Sequence, residues 1–415
     1  MPASPLSSKP LDASAQTTSP QAHPISSANG LVFVTLAISL LYAVYLGSFG
    51  VVLPAFAHAF DLGTEVQGRL FPASFGGSVS GVLLCGSLSD KWGRKPILLV
   101  CLAVTAAGLL LLGTARAFGL ILLVAGLIGG GGAAGQTVSA ALLSDLFPVR
   151  RAALMNAIQV AFGIGAISGP LSMQIVQSTP QASGWRGFYL VLAALQAFLL
   201  AVLLFLPVRE RPHPRDDSAP PVALWRERPL LTLCVSAALY SGAEVAFFSW
   251  MPTRLRADFG ALTNVLAGSV PSVFWVGMTA GRTALAALLS PRNGTRPPLR
   301  RLRFALALCG ALVALPTVFA PLPLLTLVGV GVSGLCFSGL FSLLLAEAGE
   351  RYPQVAGAAL GFVSATSGAG AALLPWLCGA LSGAGFAWSV ALLPVPLALA
   401  GVVALASTRA TDTDR

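Results

Sequence analysis

From about residue 31 onward the chain alternates between long apolar stretches and short polar ones. About twenty helical residues cross the ~30 Å of hydrocarbon in a bilayer. The apolar stretches have that length and almost no charge, so they predict spanning helices. Twelve are expected, over 31–53, 68–88, 97–115, 118–142, 152–176, 187–207, 229–251, 265–290, 304–321, 323–346, 356–380 and 384–407. The fold class that follows is an all-α integral membrane protein with twelve transmembrane helices.

The polar stretches group these spans. Residues 208–228, rich in Arg, Pro and Asp, have no helical period and part the spans six and six. They read as a cytoplasmic linker between two six-helix bundles, 31–207 and 229–407. Residues 1–30 are rich in Ser, Pro and Ala and short of large apolar groups, so a disordered cytoplasmic tail is expected. Residues 408–415 form a second short tail. A shift of 205 positions (350 − 145) lays Asp145 on Glu350, Pro148 on Pro353, Gly163 on Gly368, Gly165 on Gly370 and Pro170 on Pro375 without a gap. The halves are therefore expected to be pseudo-symmetric. Transporters built from repeated halves hold substrate near the midplane between them.

Composition narrows the class further. Of 415 residues, 55% are hydrophobic and 10% charged, and the mean hydropathy is +0.81. A water-soluble fold of this size cannot hide that much apolar surface. A formal charge of +10 would elsewhere suggest a nucleic-acid partner. Here the basic residues fall between apolar runs, nineteen of the 25 on one side and five on the other. Basic loops stay in the cytoplasm, so both termini are expected there, in an inner or plasma membrane among lipids. The six cysteines sit within apolar runs and read as packing residues. His23, His58 and His213 lie far apart, with no metal-ligand spacing or catalytic grouping nearby. No cofactor, metal or enzymatic activity is expected.

An ionisable group within the bilayer costs about 2.5–3.5 kcal/mol on insertion scales and so marks a candidate site. Glu244 and Arg282 are the two that lie well inside the spans, Arg69 standing at the outer end of the second. Glu244 can take up and release a proton during a transport cycle, hydrogen-bond a substrate, or serve as a structural carboxylate. Arg282, also a candidate for substrate binding, can pair with it, although the expected spans separate their depths by roughly 10 Å at 1.5 Å per residue; it can equally snorkel toward the cytoplasm or bond carbonyls of a neighbouring helix. Neutral candidates for substrate contact are Tyr42, Tyr45, Gln136, Asn156, Gln159, Tyr240, Trp250 and Trp275. Amides offer paired donors and acceptors to hydroxyls, and aromatic faces pack on a sugar ring. Each also suits interhelical bonding, and Trp250, at the expected end of its span, suits an interface belt. Gly129 to Gly132 and Gly135 read as close helix packing.

The run Gly86-Ser87-Leu88-Ser89-Asp90-Lys91-Trp92-Gly93-Arg94-Lys95-Pro96 resembles the loop 2–3 signature of the major facilitator superfamily. That resemblance implies a transporter that alternates access, binds a small molecule and usually works as a monomer. Three further stretches resemble the fucose–proton symporter type. They are Leu239-Tyr240-Ser241-Gly242-Ala243-Glu244 with Trp250, Phe274-Trp275-Val276-Gly277 with Gly281-Arg282, and Asn156 with Phe162-Gly163-Ile164-Gly165. They imply proton-coupled sugar symport. The acids that this type carries in spans one and four are lacking here. Gly165-x-x-x-Gly169-Pro170 also resembles drug–proton antiporters, so efflux stands as the alternative. A cytoplasmic gate is expected from Asp90 facing span eleven, Arg94 with Lys95 beside Asp145, and Glu350 pairing with Arg292 or Arg296.

Overall fold

The computed structural model describes residues 25–178, 184–208, 226–260, 264–289, 298–384 and 386–406. Most of the expected linker, residues 1–24 and 408–415 of the expected tails, and Arg292 with Arg296 lie outside these residues, while residues 25–30, expected in the first tail, open α1 as helix. The first part of the chain forms α1 (Ile25–Gly47), α2 (Phe49–Phe60), α3 (Thr64–Gly68), α4 (Leu70–Trp92) and α5 (Arg94–Thr114). It continues with α6 (Phe118–Leu146), α7 (Arg151–Ser178) and α8 (Gly184–Phe205). The second part holds α9 (Arg228–Phe259), α10 (Asn264–Leu288), α11 (Leu299–Val318) and α12 (Pro323–Phe337). It ends with α13 (Leu340–Arg351), α14 (Ala356–Ala380), α15 (Phe386–Ala391) and α16 (Pro394–Ala406). No strand occurs among the described residues.

Among the described residues, ten helical stretches are long and apolar enough to cross a membrane. Two of the twelve expected spans fall short of that standard. α10 has 25 residues but carries polar groups and Arg282, and the last span is broken into α15 and α16. Large apolar side chains such as Leu83, Leu123, Phe198 and Leu324 point outward, as a lipid-facing surface requires.

Two expected boundaries stopped at prolines that the helices run through. Span one continues past Pro54 to Phe60, and span seven continues past Pro252 to Phe259. A proline leaves a carbonyl without its helical donor, which neighbouring helices tolerate by close packing. Gly50 of α2 supplies that approach: a Cβ there would stand 3.1 Å from the carbonyls of Phe248 and Ser249. The expected spans one and ten each break into two helices. The breaks fall at Gly47-Ser48 and at Ser338-Gly339, small pairs of the kind that kink helices.

The register of the repeat reappears in the packing. α1 packs on α7, and α9 packs on α14. A Cβ on Gly165 of α7 would collide with the Leu40 carbonyl of α1, and one on Gly370 of α14 with the Ala238 carbonyl of α9. Pro170 and Pro375 lie inside the matching helices, and short 3-10 turns begin at both Pro148 and Pro353. Small residues here let two backbones touch. Gly370→Ala should therefore cost about 1–3 kcal/mol, read as a lower melting temperature of the purified protein in detergent. Gly361→Ala, in open space, should leave the melting temperature where it was.

The two parts meet through α4 with α14, α7 with α10, and α2 with α9. The polar contacts at these seams lie toward the face opposite the start of α1. Gln174 donates to the Val265 carbonyl at 2.8 Å, the hydroxyls of Thr64 and Ser382 bond, and Ser272 donates to the Ile167 carbonyl at 2.7 Å.

Candidate functional site

The α12/α13 break organises the second half of the interior. The carbonyls of Phe337 and Ser338 lie where the helix is interrupted, so they take side-chain donors instead of the next turn's amides. Tyr240 of α9 donates its hydroxyl to Phe337 O at 3.0 Å. Arg282 of α10 donates Nε to Ser338 O at 3.4 Å. Glu244 sits one turn beyond Tyr240, half-buried, in reach of the Tyr240 hydroxyl and of the Arg282 charge. No ion pair joins Glu244 to Arg282.

The depth mismatch expected between these two groups is corrected by the length of α9. With its end at Phe259, Glu244 lies fifteen residues (259 − 244) from that end, about 22 Å. Arg282 lies eighteen residues (282 − 264) from the start of α10, about 27 Å. The two are nearly level.

Trp275 stands beside them, 7% exposed, with the Arg282 guanidinium carbon 5.8 Å from its ring centre. Phe162 of α7 and Phe248 of α9 flank the indole at 5.8 and 5.9 Å. Its Nε1 is buried without a partner among the described residues. The indole thus lies where the first and second parts of the chain meet.

The first half uses its candidates as bonds between helices. Tyr42 Oη pairs with Ser78 Oγ at 3.0 Å and Tyr45 Oη with Ser74 Oγ at 3.5 Å. Gln136 donates to Ser39 Oγ at 2.7 Å, and Ser39 donates to Ile158 O at 3.2 Å, tying α6 to α1 and α7. Tyr42 and Tyr45 also line a narrow cleft with Thr105 and Gln196. Gln196, a buried amide within an apolar helix, was not among the expected candidates. Asn156 and Gln159 are exposed on α7, and no protein partner holds either among the described residues.

Trp250 is not an interface residue. It is fully buried because α9 extends well past it, and its Nε1 donates to Pro375 O at 2.9 Å.

The expected gate residues divide. Arg94 pairs with Asp145 at 2.9 Å, and Lys95 donates to Leu206 O at 2.8 Å beyond the end of α8. Both contacts join helices of the first half, so neither needs the two parts to close on each other. Asp90 lies in α4, and its side chain is outside the described residues. Glu350 is exposed, and its expected partners Arg292 and Arg296 lie outside the described residues; one turn earlier, Glu347 pairs with Arg303 of α11 at 2.6 Å. Arg303 is 2% exposed. It was expected in a loop and lies inside α11, which begins at Leu299. Arg254 and Asp258 form a further ion pair within α9, beyond the expected end of span seven.

Comparison with known proteins agrees with this architecture. A gallate transporter of Pseudomonas putida is 25% identical over 374 residues, covering 80% of each chain. The glucose/mannose transporter GlcP of Bacillus subtilis is 24% identical over 348 residues, covering 80% of this chain and 83% of its own. A class B tetracycline resistance protein of Escherichia coli is 25% identical over 267 residues, covering 61% and 59%. The fold matches the crystal structure of a bacterial homologue of the lysosomal transporter Spinster with a TM-score of 0.78. That match spans 95% of this chain and 99% of that one at 14% identity. Residues 32–353 match the Major Facilitator Superfamily, and the chain belongs to that family of membrane transporters.

Proposed function

We propose that this protein is a proton-coupled secondary transporter that carries a small organic solute by alternating access. Its twelve spans form two six-helix bundles, 31–207 and 229–407, joined by 208–228. Glu244 carries the proton. The observation that supports this reading is an acid and a base, half-buried at one depth, beside the aromatic seam between the two parts. Such a pair is costly within a bilayer unless function retains it. The resemblance of α9 to sugar symporters and the glucose/mannose relative put a sugar forward, while the gallate relative puts forward an aromatic acid. Drug efflux by antiport is the second reading, favoured by the tetracycline resistance relative. The basic face is cytoplasmic, the protein works as a monomer among lipids, and Asp90, Arg94, Lys95, Asp145 and Glu350 border the cytoplasmic gate.

The seam contacts on the opposite face support an inward-facing state. Thr64 and Ser382 touch there, so they must part when the outer side opens. A Thr64→Cys/Ser382→Cys protein should lose transport on oxidation to the disulfide and regain it with a reductant. Transport unaffected by the crosslink would contradict that assignment.

Reconstituted protein under an inward proton gradient tests the function. The reading expects a ring-bearing solute, sugar or aromatic acid, to accumulate only while the gradient stands. Cationic drugs moving outward against the gradient would support the second reading, and solutes that merely equilibrate would overturn both.

A further inference from the structure

Arg282 is held through one backbone contact. Its Nε is bound to the Ser338 carbonyl at the α12/α13 break, which leaves the outer two nitrogens of the guanidinium without a described partner. Glu244 is near enough to act on the arginine electrostatically, yet forms no ion pair with it. On the other side lies the Trp275 ring, flanked by Phe162 and Phe248, with its Nε1 buried and unsatisfied. A free cationic fork, an unpaired N–H donor and flat aromatic walls thus adjoin one another. A planar guanidinium is matched in geometry by a carboxylate, which it binds through two parallel bonds.

Charge balance separates the candidate solutes. With Glu244 ionised and Arg282 charged, the empty site sums to zero. A proton on Glu244 together with a neutral solute leaves one uncompensated positive charge in the interior, which burial disfavours. A proton on Glu244 together with a monoanion returns the sum to zero.

We propose that the Arg282–Trp275 site binds a small aromatic monocarboxylate, its carboxylate on the Arg282 fork and its ring against Trp275, Phe162 and Phe248. This rests on the reading of Glu244 as the proton carrier and narrows the solute from ring compounds in general to aromatic acids. One proton then enters with each anion, so the carried charge is zero.

The test is uptake into proteoliposomes of a panel of benzoate and mono-, di- and trihydroxybenzoates, beside the matching benzamides and glucose. Protein-free liposomes correct for passive entry of the acids. At least one acid should accumulate under a pH gradient while its amide and glucose do not, and an imposed potassium diffusion potential should leave the rate unchanged. That comparison needs no variant. Arg282→Gln should reduce acid uptake at least tenfold, and Arg282→Lys should retain part of it. If glucose accumulates with the gradient and no acid does, proton-coupled transport survives and the aromatic-acid assignment falls. A benzamide carried as well as its acid, or uptake driven by the potential, also overturns it. If no solute responds to the gradient, both the assignment and the proton-coupled reading fail.

Discussion

Glu244→Gln protein is expected to let solute equilibrate across the membrane but not concentrate it. Glutamine keeps the shape of the side chain and an amide that can still meet the Tyr240 hydroxyl, while removing the group that takes up a proton. A one-unit pH gradient is worth about 1.4 kcal/mol, or tenfold, to a carrier moving one proton per solute. The wild type should therefore approach tenfold accumulation, and the variant should stay at a ratio of one. Counterflow, in which labelled solute exchanges for unlabelled, should persist in the variant, because exchange needs no net proton movement. Loss of counterflow as well would mean that Glu244 binds solute or holds the fold. Accumulation that survives would place the coupling group elsewhere.

The second large effect is on stability. Glu347→Ala should cost about 3–5 kcal/mol, because it strands the Arg303 guanidinium as an unpaired charge that is 2% exposed. Replacing both partners together, as Arg303→Met/Glu347→Leu, removes the charge and its desolvation at once. It should restore most of the loss or exceed the wild type. Thermal melting of the purified protein in detergent checks both. Asp145→Ala should matter less, since the Arg94 and Asp145 side chains are 15% and 30% exposed and water partly replaces the lost partner.

The helices were legible because lipid demands long apolar runs, whose ends fall within a turn or two of the helix ends in most cases. The errors have a common physical source. Expected spans one and seven ended just before Pro54 and Pro252, whereas the helices run through both and neighbouring backbones absorb them. That error made Trp250 look like an end residue and set Glu244 and Arg282 at different depths. Gly47-Ser48 and Ser338-Gly339 were the available signals for the two helix breaks, and the second break supplies the carbonyls that hold Tyr240 and Arg282.

The candidate site was legible in its ionisable members, since a charge within an apolar run stands out. Partners on other helices were not. Gln136 and Tyr42 show no sign in one dimension that Ser39 and Ser78 take up their polar groups. The ungapped repeat singled out Glu350, whose expected partners Arg292 and Arg296 lie outside the described residues. It gave no sign of the ion pair between Glu347 and Arg303, because Arg303 was expected in a loop and α11 begins at Leu299.

The most direct test of proton-coupled transport is to trap a pH-sensitive dye inside proteoliposomes and add the transported solute with no gradient imposed. The interior should acidify as solute enters, faster than in protein-free liposomes, and Glu244→Gln should abolish the excess. Solute entry without that excess, or with the interior turning alkaline, would contradict it.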